Sequence, residues 1–135
     1  MLRKNAKHDL LSRVPLFAAC SKRELDSLAR FADELDLPAG YDLTQEGARG
    51  AEFIVIADGA ADVRRRGRKI NTLGAGDFVG EIALVTGAPR TATVTTTEPS
   101  HVLVLTASAF RKLLREMPSI QLKVLDALAR RLPTD

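Results

Sequence analysis

The sequence predicts a mainly β domain with flanking helices: an antiparallel jelly-roll barrel with N-terminal helices before it and two C-terminal helices after it. Three observations predict this. From Leu37 to Thr106 the apolar residues come in short runs cut by glycine about every ten residues, the mark of strands joined by tight turns. On either side of that stretch the apolar spacing changes to i, i+3, i+4, i+7, the period of amphipathic helices. Between Phe78 and Pro89 the strand pattern is interrupted by Gly80-Glu81-Ile82-Ala83-Leu84, which has the composition of one helical turn.

Each element follows in order. Leu10, Leu11, Val14, Leu16 and Phe17 sit at helical spacing until Pro15 breaks it. Ser21-Lys22-Arg23-Glu24 is a capping box, and Leu25, Leu28, Ala29 and Ala32 share a face beyond it. Helices are therefore expected over residues 9–35, the second running to about Leu35. The barrel is expected over 37–106, with strands near 41–44, 52–57, 60–65, 69–73, 91–97 and 101–106. Turns fall at Glu46-Gly47, Asp58-Gly59, Arg66-Gly67, Gly74 to Asp77 and Glu98 to Ser100. The C-terminal helices take 107–132: Phe110, Leu113, Leu114 and Met117 line one face, and from Ser119 the residues Leu122, Leu125, Leu128 and Leu132 are expected to point inward. The whole chain, 1–135, reads as one domain.

Composition narrows the function. Of 135 residues, 45% are hydrophobic and 27% charged, ordinary values for a folded soluble domain. A single cysteine, Cys20, excludes an internal disulfide framework and suits a reducing cytoplasm, the expected location. No run approaches the roughly 18 to 20 apolar residues of a membrane span, and the basic start at Met1 is not followed by a signal core. His8 and His101 share no ligand-like spacing with each other or with Cys20, so no metal site is expected, and His101 reads as a strand-edge residue. No serine or cysteine lies in a nucleophile motif, so the chain does not read as an enzyme. Gly74, Gly76 and Gly80 lack the Gly-Lys-Ser/Thr ending of a triphosphate loop. The net charge of +3 permits attraction of anions without demanding it. Arg64 to Lys69 packs five cations around Gly67 without aromatic residues between them, which reads as a solvated hairpin tip rather than a nucleic-acid contact.

The chemistry concentrates at Glu81 and Arg90. They set one carboxylate and one guanidinium in an apolar surround, and buried charges need partners. Gly80 allows close backbone approach, and the free amides at the start of a helical turn favour an anion. The planar fork of Arg90 matches two phosphate oxygens, and the strand expected from Thr91 would hold it rigidly. Glu81 is an acceptor only, so it suits a ligand hydroxyl such as a ribose 2'-OH.

Gly80-Glu81-Ile82-Ala83-Leu84, followed by Pro89-Arg90-Thr91-Ala92-Thr93-Val94, resembles the phosphate-binding cassette of cyclic nucleotide-binding domains. This is the module of catabolite activator protein, kinase regulatory subunits and cyclic-nucleotide-gated channels. Gly40, Gly47, Gly59, Gly74 and Gly76 match as well, and the resemblance covers Leu10 to Leu132. It implies a non-enzymatic regulatory module for a cyclic mononucleotide, cyclic AMP first and cyclic GMP as the alternative, with no cofactor. The cassette spans 78–92. Arg90 would meet the cyclic phosphate, with backbone amides near Ile82, Ala83 and Thr91; Glu81 would meet the ribose. Val79, Gly80 and Ala92 complete the nucleotide-binding positions. The helices over 107–132 would be the family's hinge and lid, and Arg130 and Arg131 are candidates to lie over the base, as arginines do in some family lids, beside the reading of a solvent-facing pair; the family's aromatic base cap has no ready counterpart, since Tyr41 is the only tyrosine and tryptophan is absent. The chain ends soon after Leu132, so the output is expected to pass to an effector protein or a second copy. Two other readings stand beside this one: the sensor portion of a larger regulator, such as a transcription factor, channel or enzyme, and a degenerate interaction domain that binds no nucleotide.

Overall fold

The apolar runs cut by glycine fold as strands. The computed structural model describes residues 4–50, 52–80 and 89–131, and they form two units, 32–107 and 4–31 with 108–131. The first unit holds β1 (Asp33–Leu37), β2 (Asp42–Thr44), β3 (Glu52–Asp58), β4 (Ala61–Arg65), β5 (Arg68–Leu73), β6 (Phe78–Val79), β7 (Thr93–Thr96) and β8 (Ser100–Thr106). All pairings are antiparallel, in two four-stranded sheets ordered β1-β8-β3-β6 and β2-β7-β4-β5. That is the double sheet of a jelly roll, and the two sheets remain distinct rather than closing into a barrel. Leu43, Ile54, Ile56, Ala61, Leu73, Val94 and Val102 come from both sheets and form the core between them. Phe53 to Ile56 in β3 are all buried, so this strand reads as a continuous apolar run and is a fixed reference for its neighbours.

Two strands escape the sequence pattern. The helix expected to reach Leu35 ends at Phe31, and Asp33–Leu37 is strand β1. Its three acidic residues disfavour a strand intrinsically, but β8 supplies the missing stabilisation. Asp36 stands opposite His101, whose Nδ1 lies 2.7 Å from Asp36 Oδ1 and whose Nε2 lies 3.0 Å from Glu34 Oε1. His101 is thus not at a sheet edge: β8 runs between β1 and β3. With a carboxylate at each ring nitrogen, both nitrogens donate only when the imidazole is charged. The Asp36 hydrogen bond, opposed by burial and reinforced by Glu34, raises its pKa above 6.5. β6, only two residues long, is the other unexpected strand; it pairs with Ile54 and Val55.

The second unit contains α1 (Lys4–Ser12), a 3-10 turn opened by Pro15 (Pro15–Phe17), α2 (Lys22–Phe31), α3 (Ala107–Glu116) and α4 (Pro118–Arg131). The Phe17 and Phe110 rings meet at 6.0 Å between centroids, and Leu11, Leu16, Leu28, Leu113 and Ile120 are fully buried. The capping box forms as expected: the Ser21 amide donates to Glu24 Oε1 at 2.7 Å, and the Glu24 amide donates to Ser21 Oγ at 3.2 Å. Glu24 also accepts from Ser119 Oγ at 2.8 Å and from Lys123 Nζ, which joins the start of α2 to α4. Burial alone would raise the Glu24 pKa; the donors from Lys123, Ser21 and Ser119 outweigh it and hold the carboxyl at about 2.

That network also sets the rotation of α4. Leu122 and Leu125, expected inward, are 72% and 59% exposed, whereas Ile120 and Val124 are buried. The helix carries two apolar stripes, and the one adjoining Ser119 and Lys123 turns inward because both residues bind Glu24. Leu132 lies outside the described residues, as does the side chain of Leu128. Among the described residues no helix is long and apolar enough to cross a membrane.

Two outcomes follow. Replacing Glu24 by alanine removes a cap and the charge-assisted bonds to α4, and is expected to lower unfolding stability by about 2 to 4 kcal/mol in urea titrations near pH 7. The parent's advantage over this variant should be full above the unfolded carboxylate value of 4.5 and shrink as pH falls toward about 2. His101 behaves oppositely. Its raised pKa contributes stability that is complete below 6.5 and is lost as pH climbs through the folded-state value. The stability difference between parent and His101→Gln should therefore shrink as pH rises above 6.5; a constant difference would exclude a charged His101.

Candidate functional site

Arg90 is the residue around which the first unit's loops close. It lies three residues before β7, not within it, so its fork is not held by a strand as the sequence led one to expect. Backbone bonds hold it instead. The Arg90 amide donates to Ala48 O at 3.0 Å, and the Gly47 amide donates to Arg90 O at 2.8 Å, pairing this residue with the loop before β3. Thr44 Oγ1 donates to Ala92 O at 2.9 Å and extends the same attachment.

The side chain turns inward and is only 8% exposed. Arg90 Nη2 donates to the Glu52 carbonyl at 2.6 Å, at the first residue of β3. Arg90 Nη1 is buried and has no hydrogen-bond partner among the described residues. Burial pushes the guanidinium pKa down from its usual value, with the Glu52 charge opposing, yet an arginine stays charged at any physiological pH. A buried cation with one donor unmet is costly, and an anion at Nη1 relieves that cost.

Two glycines make this placement possible. Gly80 has φ +89, and a Cβ there would collide with Arg90 Nη1 and with Glu52 O. The glycine expected to allow ligand approach is thus also the one that admits the arginine. Gly50 faces the other side of the fork, where a Cβ would stand 3.3 Å from Arg90 Nε. Glu52, Gly50 and the Gly47-Ala48 backbone are the members of this site that sequence reasoning missed. Their only signal was the density of glycine ahead of β3, which does not reveal a long-range partner.

Of the expected positions, Val79, Gly80, Arg90, Thr91 and Ala92 are described. Val79 is half-buried against the core between the sheets. Thr91 is exposed and its carbonyl accepts from Arg65 Nε at 3.0 Å, while Ala92 is buried. Glu81, Ile82 and Ala83 lie outside the described residues, as do the side chains of Arg130 and Arg131. The two histidines are engaged elsewhere, His8 with Asp26 and His101 with the β1 carboxylates. Cys20 has its pKa raised to about 11 by burial and then by Glu24, against the effect of Lys123, so its thiol stays protonated and unreactive.

Residues 34–117 match the model of the cyclic nucleotide-binding domain. A cAMP-dependent protein kinase regulatory subunit of Eremothecium gossypii is 37% identical over 107 residues, covering 78% of this chain and 23% of that protein. A CRP-like cAMP-activated global transcriptional regulator of Mycobacterium tuberculosis is 27% identical over 129 residues, covering 92% of this chain and 58% of the regulator. The chain thus spans well under two thirds of either relative. The crystal structure of the N-terminal domain of a transcriptional regulator from Streptomyces coelicolor A3(2) superposes with a TM-score of 0.85 at 30% identity, covering 91% of each chain.

Substituting Gly80 by alanine tests the packing around Arg90. The positive φ and the two collisions are expected to lower stability by about 1 to 3 kcal/mol in denaturant unfolding. A variant as stable as the parent would show that the fork does not sit against Gly80.

Proposed function

The chain belongs to the cyclic nucleotide-binding domain family, and we propose that it binds a cyclic mononucleotide, with cyclic AMP the first candidate and cyclic GMP the alternative, as a regulatory module without catalytic activity of its own. The observation that carries this reading is the buried Arg90 fork, with Nη2 on the Glu52 carbonyl and Nη1 unpaired. A cyclic phosphate bears a single negative charge and presents two exocyclic oxygens, one of which would accept from Nη1. A larger polyphosphate would bring more negative charge than this one buried cation answers.

Glu81 is assigned to the ribose hydroxyl on the strength of the motif Gly80-Glu81-Ile82-Ala83-Leu84, because a carboxylate beside the phosphate site repels the phosphate and accepts from a hydroxyl. Backbone amides near Ile82, Ala83 and Thr91 complete the anion shell, and Val79 and Ala92 supply apolar contact. The output of the module is a movement of α4 that an effector protein or a second copy reads. Nucleotide shifts such an equilibrium only by its differential affinity for the two states.

Calorimetric titration with cyclic AMP and cyclic GMP tests the assignment. Arg90→Ala is expected to weaken binding by about 30-fold to several thousandfold, since truncating one member of a buried charge pair costs about 2 to 5 kcal/mol. Glu81→Ala should lose less, about 1.5 to 3 kcal/mol for one charge-assisted hydrogen bond. In unfolding experiments, cyclic AMP at about 100 times the parent's dissociation constant should stabilise the parent by about 2.7 kcal/mol and Arg90→Ala by no more than about 0.9 kcal/mol at the same concentration. Equal binding by parent and Arg90→Ala would overturn the reading.

A further inference from the structure

The site above leaves the β4–β5 hairpin without a role. Residues Arg64 to Ile70 are all exposed, and the loop is the two-residue turn Arg66-Gly67, with φ of +53 and +77. Tight hairpins of this kind favour asparagine or glycine at the first position, and a long side chain there is uncommon. Arg64 and Lys69 share Asp62 at 3.5 and 3.3 Å. The side chains of Arg66 and Arg68 have no carboxylate partner among the described residues.

This tip is tied to the Arg90 segment from two directions. Arg65 Nε donates to the carbonyl of Thr91, the residue after Arg90, at 3.0 Å. The Arg66 amide donates to Glu46 Oε1 at 2.8 Å, and the Glu46 amide in turn donates to Thr93 Oγ1 at 3.0 Å. Gly47, next to Glu46, bonds the Arg90 carbonyl at 2.8 Å. The tip therefore holds a fixed position beside the residues that frame Arg90. Among the described residues, the carboxylates bonded to this tip are Asp62, which meets Arg64 and Lys69, and Glu46, which takes the Arg66 amide; against the five cations Arg64, Arg65, Arg66, Arg68 and Lys69 they leave a local excess of three positive charges. That equals the formal +3 of the entire chain, so charge elsewhere balances and this hairpin is a concentrated source of field.

We infer that the β4–β5 hairpin is an electrostatic guide for the site's ligand: Arg66 and Arg68 accelerate capture of a small phosphate anion without contacting it in the bound state. This rests on the reading of Arg90 as a phosphate-binding residue. A charge outside the binding contacts acts on the approach of the ligand and leaves its departure almost unchanged, and its action fades as salt screens it. The bound phosphate stays on Arg90, and the hairpin sets how often it arrives.

Stopped-flow measurement with a fluorescent cyclic AMP analogue tests this on the parent, on Arg66→Glu/Arg68→Glu and on Arg66→Gln/Arg68→Gln. If the four units of charge change act over about 10 Å, Coulomb's law with Debye screening gives an association rate about five- to tenfold lower at about 10 mM ionic strength and about twofold lower at about 150 mM. The glutamine pair should show a smaller drop in the same direction, and dissociation rates should stay within about twofold of the parent in both. Equal association rates at low salt overturn the inference while leaving the nucleotide reading intact, as does a loss confined to dissociation. Retention of the parent, but not of the variants, on duplex DNA with unchanged nucleotide association would assign the hairpin to a polyanion and overturn it too. A parent that binds neither cyclic nucleotide overturns both readings.

Discussion

The first unit is organised around a buried guanidinium that the described residues satisfy only in part. Arg90 gives one nitrogen to the Glu52 carbonyl and keeps another unpaired in a place that water does not reach. Such an arrangement is unfavourable by itself and persists only where the surrounding backbone leaves the side chain no exit. Here the surroundings are specific. β3, buried along Phe53 to Ile56, fixes the carbonyl that Arg90 meets; the Gly47-Ala48 backbone pins its main chain; and Gly50 and Gly80 present no side chains where the fork lies.

The same chain shows what a fully satisfied buried charge looks like. Glu24 is 5% exposed, yet its carboxylate receives the Ser21 amide, the Ser119 hydroxyl and the Lys123 ammonium, and its pKa falls to about 2. Nothing remains for a ligand to supply, and the residue's effect is on the packing of α2 with α4. Arg90 has the opposite balance: the Glu52 carbonyl and charge offset its burial only in part, and its pKa is pushed away from the charged form. Comparing the two separates a structural charge from one that awaits a partner, without recourse to family resemblance.

What the sequence made legible was local. The Ser21-Glu24 capping box, the Arg66-Gly67 turn and the cassette residues are each encoded within a few positions, and the turn and cap form as read. What it hid was decided across the chain. Asp33–Leu37 is strand because His101 bridges two of its carboxylates from a strand more than sixty residues later. The face of α4 was ambiguous between two apolar stripes, and the choice fell to Glu24, nearly a hundred residues earlier. Gly80 was legible as a point of close approach, but that the approaching group is Arg90 itself depends on loop closure that no local pattern records.

Positive charge thus stands at two depths in the jelly-roll unit, and depth determines what each charge does. At the hairpin the guanidiniums are solvated, so their attraction is long-ranged at low salt, weak at contact and indifferent to the shape of the anion. At Arg90 the guanidinium is desolvated and its fork immobile, so attraction is short-ranged and depends on where the anion's oxygens lie. Placing both functions on one arginine is physically inconsistent, because a side chain exposed enough to attract from a distance is too well hydrated to discriminate. On the proposed reading, separating them across the Arg65–Thr91 hydrogen bond, one residue from Arg90, would let the surface collect anions of many kinds while the interior takes only one that fits a single unpaired donor.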